Sequence, residues 1–252
     1  MSPFRANREP SRPHLKMIAS FFKVLFLILF TAVVSSLEIA VVAVNRADAF
    51  DGIMRYYMRT VLRVCGVNVV IRGLEKLDAS RHYIYVSNHA SLLDIPAVVA
   101  AIPDRIRIVY KKELNFIPVF GWAMKLTRMH IPIDRSRGLA AMRQLGDAVQ
   151  RVITGASLLL FAEGTRSPDG KLQPFKRGAF NLAVGAGVAV VPVAIAGSYR
   201  VLPKHSFRIT PGTITLNLDK AIEPTSLDGK TAESSVMEQT RSAIERLMGG
   251  TG

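Results

Sequence analysis

A histidine stands directly behind a run of strand-forming residues, with an aspartate five places further on. The stretch is Asn88-His89-Ala90-Ser91-Leu92-Leu93-Asp94, and the strand pattern before it is Tyr83–Ser87. Strand ends form the rim of an α/β sheet, where ligands tend to bind. A turn between His89 and Asp94 folds the carboxylate back onto the ring. The carboxylate then accepts one imidazole N–H and leaves the other nitrogen free as a base. No dedicated nucleophile is obvious. Ser87 and Ser91 flank the histidine, and Cys65 lies in a separate helical stretch. The economical chemistry is direct transfer, in which the substrate's own hydroxyl attacks. A loop histidine bonded to a helix-capping aspartate would carry the same sequence.

A second polar run, Phe161-Ala162-Glu163-Gly164-Thr165-Arg166-Ser167, also follows a buried strand and can share that rim. Gly164 lets backbone approach a ligand, Thr165 offers a hydroxyl, and Arg166 offers a planar fork suited to phosphate. Glu163 can orient a ligand hydroxyl or pair with a cation. The plain alternative is a polar turn with a structural salt bridge. Lys171, Lys176 and Arg177 follow, Lys111 and Lys112 end another strand, and Arg105 to Arg137 holds eight cations against two anions. A solvated face explains some of these cations. An anion site at the strand ends explains their clustering.

The elements that must position these residues follow from periodicity. Strand patterns cover Val67–Arg72, Tyr83–Ser87, Arg105–Lys112, Ser157–Phe161, Val188–Ala196, Phe207–Thr210 and Thr213–Leu218. Helical patterns cover Ser91–Ile102, with Pro96 in its first turn, Leu139–Thr154, Arg177–Val184 and a final helix capped by Thr231. Alternating β and α predicts an α/β sandwich around a largely parallel central sheet. The 252 residues carry 33 Lys and Arg against 19 Asp and Glu, a net charge of +14, and are 49% hydrophobic. A disordered chain would be far less apolar, and 18 Gly and 13 Pro follow no repeat. The single Cys65 excludes an intrachain disulfide and any multi-cysteine metal site. Basic charge with high apolar content points to a membrane surface rather than to nucleic acid.

The apolar content concentrates near the N-terminus. Residues 17–44 are broken only by Lys23 and Glu38. The uninterrupted part, Val24 to Leu37, gives roughly 21 Å of helix against a hydrocarbon core of roughly 30 Å. Snorkelling of Lys23 extends it back to Met17. A signal peptide ending at Ala47-Asp48-Ala49, a transmembrane anchor and an embedded helix all fit. Residues 50–65 form an amphipathic pattern. Phe50, Ile53, Met54, Tyr57, Val61, Leu62 and Cys65 lie on one face, and Arg55, Arg59 and Arg63 on the other. This helix either lies in an anionic interface or packs on the domain with a solvated arginine face. The expected division is a basic disordered cap over 1–16, a membrane-associated helical pair over 17–66 and a catalytic domain over 67–252.

Together these residues resemble the 1-acylglycerol-3-phosphate acyltransferases, the lysophosphatidic acid acyltransferase family. Asn88-His89 with Asp94 matches its NHxxxxD motif. Lys112-Glu113-Leu114, Pro118, Gly121-Trp122 and Ile133-Asp134-Arg135 match its second region. Phe161 to Ser167 matches FPEGTRS, with Ala162 in place of the proline. Phe175-Lys176-Arg177-Gly178 and Val191-Pro192-Val193 follow in order, so the resemblance covers about residues 67–220. It implies that His89 is the general base on an acceptor hydroxyl and Asp94 its orienting partner. Arg166, with Lys112 as a second candidate, would hold the acceptor phosphate. Asn88, Glu163, Gly164 and Thr165 would complete the substrate-binding set. The implied substrates are lysophosphatidic acid and an acyl thioester on coenzyme A or acyl carrier protein, with membrane lipid as partner and no metal or redox cofactor. The expected place is the inner membrane, with the catalytic domain on the cytoplasmic side, where both thioesters are found. Two other readings stay open. One is the same chemistry on a lyso-ornithine lipid or a lysophospholipid. The other is a non-catalytic anionic-lipid-binding membrane protein, which has no need of a base at the rim.

Overall fold

The structure, a computed structural model, describes residues 13–46, 49–134, 155–224 and 229–249, together with Gly146 and Val149. Seven strands form one sheet: β1 Val67–Arg72, β2 Ile84–Ser87, β3 Ile106–Lys111, β4 Ile131–Ile133, β5 Ser157–Phe161, β6 Val190–Ala196 and β7 Gly212–Leu218. Their spatial order is β1-β7-β6-β2-β5-β3-β4. The five strands from β6 to β4 run parallel, and β7 with β1 runs the other way. Among the described residues the continuous α-helices are α1 Pro13–Ala43, α2 Phe50–Cys65, α3 Asp94–Ala101, α4 Phe120–Thr127, α5 Gly178–Ala186, α6 Ser198–Val201 and α7 Gly229–Gly249.

Alternation along the central strands builds two cores. Tyr83, Tyr85, Leu159, Val191 and Val193 face the side covered by α2 and α3, while Ile84, Val86, Leu158, Leu160 and Val190 face the side covered by α5 and α7. These strands are buried on both faces, which is why they read as unbroken apolar runs. Pro192 sits within a central strand without breaking it. Its carbonyl accepts the Asp219 N–H on the β7 side, so its missing donor also faces the end of β7 and removes no bond to β2.

The pair of helices expected over residues 17–66 divides in two. The first, α1, is 31 residues long, and Met17–Ala43 is apolar and long enough to cross a membrane. Phe21, Phe22, Phe26 and Leu29 on it are exposed. Neighbouring α4 and the turn before it expose Phe116, Trp122 and Leu126 as well. By contrast, α2 turns its apolar face into the domain. Phe50, Met54, Met58, Val61, Leu62 and Cys65 are all buried in the core. Of its arginines, Arg59 and Arg63 are exposed. Arg55 instead donates to the carbonyls of Val99, Ile102 and Asp104 at 3.0, 2.7 and 2.8 Å. It therefore closes the C-terminal end of α3, where orphan carbonyls attract cations. Packing on the domain is thus the reading that holds for α2.

Three other expectations change. Phe207–Thr210 is no strand. Its donors are taken by other partners, Ile209 N–H by the Ser20 hydroxyl on α1 and Thr210 N–H by the Val201 carbonyl. Thr231 lies inside α7, which begins by Gly229, so it caps nothing. Pro13–Lys16, expected in the disordered cap, have helical backbone as the start of α1. The rest of that cap lies outside the described residues, as does the helix expected over Leu139–Thr154 apart from Gly146 and Val149.

Candidate active site

Because β2, β5, β3 and β6 run parallel, their C-terminal ends share one rim. Ser87 leads there into His89, Phe161 into Glu163, Lys111 into Lys112 and Ala196 into Ser198. At its centre, His89 Nδ1 lies 2.8 Å from Asp94 Oδ2. Asp94 opens α3 and is fully buried. The same oxygen also accepts the N–H groups of Ala90 and Ser91, both at 2.8 Å. An oxygen that accepts this many donors is a carboxylate oxygen, so the proton between it and the ring resides on Nδ1. In the neutral ring this tautomer puts the lone pair on Nε2, the arrangement a general base requires. The ring stacks on Phe161, with centroids 3.8 Å apart and planes 16° apart. His89 is therefore fixed by bonding at one edge and by an aromatic face along its plane.

The second motif grips the backbone of the first. Glu163 Oε1 accepts the His89 N–H at 2.9 Å, and Ser167 N–H donates to the His89 carbonyl at 2.7 Å. Ala162 N–H donates to the Ser87 carbonyl at 3.0 Å and carries the β2–β5 pairing one residue further. A proline, the residue usual in the resembled motif, could not make that bond. Burial pushes the Glu163 carboxyl up to about 7, against the pull of the His89 and Gln173 N–H groups. Gly164 has φ of +70°, and a Cβ there would meet the Lys176 side chain at 3.0 Å. Glycine is thus required by backbone conformation, and the close approach tightens the demand.

The sequence candidates fall into three groups. His89, Asp94, Glu163, Gly164 and Arg166 are brought together by the two interlocked loops, with Thr165 exposed between them. Lys112 stands on the same rim beyond β3, 3.8 Å from Asp134 and half exposed. Asn88 departs from the expected substrate contact. Its amide donates to the Ile195 carbonyl at 2.9 Å and accepts the Ile195 N–H at 2.8 Å, so it is committed to joining the β2 end to β6. Among the other cations, Lys111 pairs with Glu113 and Arg177 with Glu233. Among the described residues, the Arg166 guanidinium and the Lys176 ammonium have no acidic partner. The alternative nucleophiles are disarmed. Ser87 and Ser91 are buried, with Ser87 donating to the Asn88 carbonyl and Ser91 accepting the Leu93 N–H. Burial pushes the Cys65 thiol up to about 11. Sequence reading gave Phe161 no role in holding the ring, although it is the residue that ends β5.

A cavity of about 440 Å³ lies beside this loop. Its walls are mostly apolar and include Val24 and Leu27 of α1, Met58 and Val61 of α2, and Leu92 and Leu93 between the histidine and the aspartate.

Residues 68–196 match the acyltransferase family, and the chain belongs to that family. It is 38% identical over 175 residues to a 1-acyl-sn-glycerol-3-phosphate acyltransferase of Limnanthes douglasii, covering 69% of this chain and 60% of that relative. It is 33% identical over 219 residues to the 1-acyl-sn-glycerol-3-phosphate acyltransferase alpha of Mus musculus, covering 84% of this chain and 74% of the relative. The chain thus spans about 60% of the length of the plant relative. Its fold resembles the crystal structure of the 1-acyl-sn-glycerophosphate (LPA) acyltransferase PlsC from Thermotoga maritima. The TM-score is 0.75 at 23% identity, over 92% of this chain and 97% of that one.

Proposed function

We propose that the protein moves a fatty acyl group from an acyl thioester to the free hydroxyl of 1-acylglycerol-3-phosphate, giving phosphatidic acid. The observation that carries this reading is the Nδ1–Asp94 bond, which puts the lone pair of the neutral ring on Nε2, in a loop whose backbone is bonded to Glu163 and Ser167 on either side of the Gly164–Arg166 turn. Nε2 takes the proton of the acceptor hydroxyl as its oxygen attacks the thioester carbonyl carbon. The C–S bond then breaks, and the imidazolium returns the proton to the departing thiolate. Asp94 stabilises the charged ring while it holds that proton. The Arg166 fork binds the acceptor phosphate, and Glu163, Gly164 and Thr165 border the glycerol. Lys112 adds charge further along the rim. The apolar cavity beside Leu92 and Leu93 takes an acyl chain. The relatives named above support the acceptor, since both carry the 1-acyl-sn-glycerol-3-phosphate name.

A thioester-release assay tests this, with acyl-coenzyme A and acyl carrier protein as donors and a panel of lysolipids as acceptors. Release should be fastest with 1-acylglycerol-3-phosphate. Faster release with a lyso-ornithine lipid would move the assignment to that acceptor, because the Arg166 fork also suits a carboxylate. No release with any acceptor would leave only a lipid binder.

The reading includes a place in the cell. α1 enters the inner membrane from the cytoplasmic side without carrying the domain across, and the domain stays with the cytosolic thioesters. The exposed apolar residues of α1 and α4 support a lipid-facing side. A cysteine engineered at exposed Gln239 should resist an impermeant thiol reagent in intact cells. Labelling there would place the domain outside and overturn the topology.

A further inference from the structure

The turn that carries Arg166 is anchored from beyond the residues that match the family. Lys204 Nζ donates to the Arg166 carbonyl at 3.0 Å. Tyr199 OH donates to the Pro168 carbonyl at 3.1 Å. The Tyr199 ring also lies against Gly170, which has φ of +80° and where a Cβ would stand 2.8 Å from the ring. Residues 166, 168 and 170 are therefore held in succession by one short stretch that runs through α6. Further along, that stretch is bonded to α1 through Ile209 N–H and the buried Ser20 hydroxyl.

Charge makes this arrangement informative. Lys204 brings an ammonium to the backbone of a residue whose own guanidinium has no acidic partner among the described residues. Lys176 adds a third cation, its side chain lying over Gly164. The turn's own carboxylates are taken up elsewhere, Glu163 by the His89 N–H and Asp169 by the Ser167 hydroxyl and the Lys171 N–H. Among the described residues none of the three cations therefore forms an ion pair, and an anion bound between them would relieve their repulsion. A bond to a backbone carbonyl also fixes where the Arg166 Cα sits, and hence where its planar fork can reach.

We infer that Lys204 is a positioning residue for the acceptor's anionic headgroup, setting the Arg166 turn and adding its charge to the phosphate site. This rests on the reading of Arg166 as the phosphate-holding residue. Tyr199 fixes the far end of the same turn. The bond from α1 to Ile209 makes the seating of the membrane helix part of what holds that stretch in place.

Steady-state kinetics on membranes or detergent-solubilised full-length protein test this, with Lys204→Met, Lys204→Arg and Arg166→Ala compared side by side. Each is measured with 1-acylglycerol-3-phosphate, with uncharged 1-acylglycerol, and against thioester concentration. Lys204→Met should raise the KM for the phosphorylated acceptor roughly tenfold, the scale of one charge-assisted hydrogen bond. The thioester KM and the rate with the uncharged acceptor should stay within a factor of two. Lys204→Arg should recover most of the loss. Equal damage to both acceptors and to the donor would mark a merely structural lysine and overturn the inference. A raised acceptor KM in Arg166→Ala with none in Lys204→Met would overturn the role of Lys204 and spare that of Arg166. An unchanged acceptor KM in Arg166→Ala would overturn the phosphate reading itself, and the inference with it.

Discussion

The loop that carries His89 and the turn that carries Arg166 lie side by side on one rim, yet they are held by different means. The first gathers its ring and two of its N–H groups on one local carboxylate, with Glu163, Ser167 and Phe161 of the second motif as outside supports. Asp94 Oδ2 gathers the His89 ring and the N–H groups of Ala90 and Ser91, all within five positions. The second leans on distant residues. Its carbonyls are held by Tyr199 and Lys204, and its Ser167 N–H by His89, 78 positions earlier in the numbering. A short loop saturated with bonds to one buried carboxylate has little freedom to move, which suits a base that must meet a proton within tenths of an ångström. A turn secured at its far edge is the better place for specificity, because its Tyr199 and Lys204 anchors do not touch the base.

The largest effect should come from breaking the local half. His89→Ala removes the base and should lower kcat by at least the roughly 10²–10⁴-fold that a positioned base contributes. The thermal midpoint should fall modestly, because Asp94 loses one donor and Phe161 its stacked ring, while the protein stays folded at the assay temperature. Asp94→Asn should also be severe. One oxygen serves the ring and the Ala90 and Ser91 donors, so the amide has two choices. It either keeps its oxygen there and loses the negative charge that stabilises the imidazolium, or places its NH₂ there, favours the opposite tautomer and leaves both N–H groups without an acceptor. Stopped-flow or radiometric turnover with a parallel melting curve checks both. Near-normal turnover by folded His89→Ala would end the assignment of the base.

The same contrast explains what was legible in the sequence. The His89–Asp94 pair could be read because its partners are five positions apart and the strand before it is plain. The sheet was readable because strands buried on both faces appear as apolar runs, and Ser157–Phe161 matches its expected bounds. The stacking of Phe161, the commitment of Asn88 to β6 and the anchoring by Lys204 all depend on which strands become neighbours. β2 lies between β5 and β6, a fact of topology that no local pattern carries. Arg55 misled for the same reason. Its i+4 spacing with Arg59 and Arg63 is that of a basic face, and only the packing of α2 against α3 turns it into a cap. Phe207–Thr210 alternates like a strand, yet its Ile209 and Thr210 N–H groups go to the Ser20 hydroxyl and the Val201 carbonyl instead of a neighbouring strand.

A middle-sized effect should come from the distant half. Arg166→Lys keeps the charge and loses the paired donors of the planar fork. The acceptor KM should rise about tenfold, with kcat and the thioester KM nearly unchanged. An unchanged acceptor KM in both Arg166→Lys and Arg166→Ala would favour a structural role for this arginine and remove the contrast between the two loops.

The smallest effect on turnover should come from Glu163→Gln, at the seam between the halves, and its signature is in stability. The glutamine oxygen can still accept the His89 N–H, so the loops stay joined. What changes is the proton balance. Burial raises the Glu163 carboxyl from 4.5 to about 7 in the folded chain, so the folded state binds its proton more tightly than the unfolded state does. The favourable contribution of the protonated form is complete below pH 4.5 and is lost as pH rises through 7. The wild-type protein should therefore lose stability relative to Glu163→Gln between those two values, with the difference levelling off above pH 7 at about 1–3 kcal/mol. Denaturant melts of both proteins at pH 5 and pH 8 measure this directly. A difference that is flat with pH would show that the carboxylate is already ionised and compensated in the folded state. Glu163 would then join the two motifs as a charged acceptor throughout the working range.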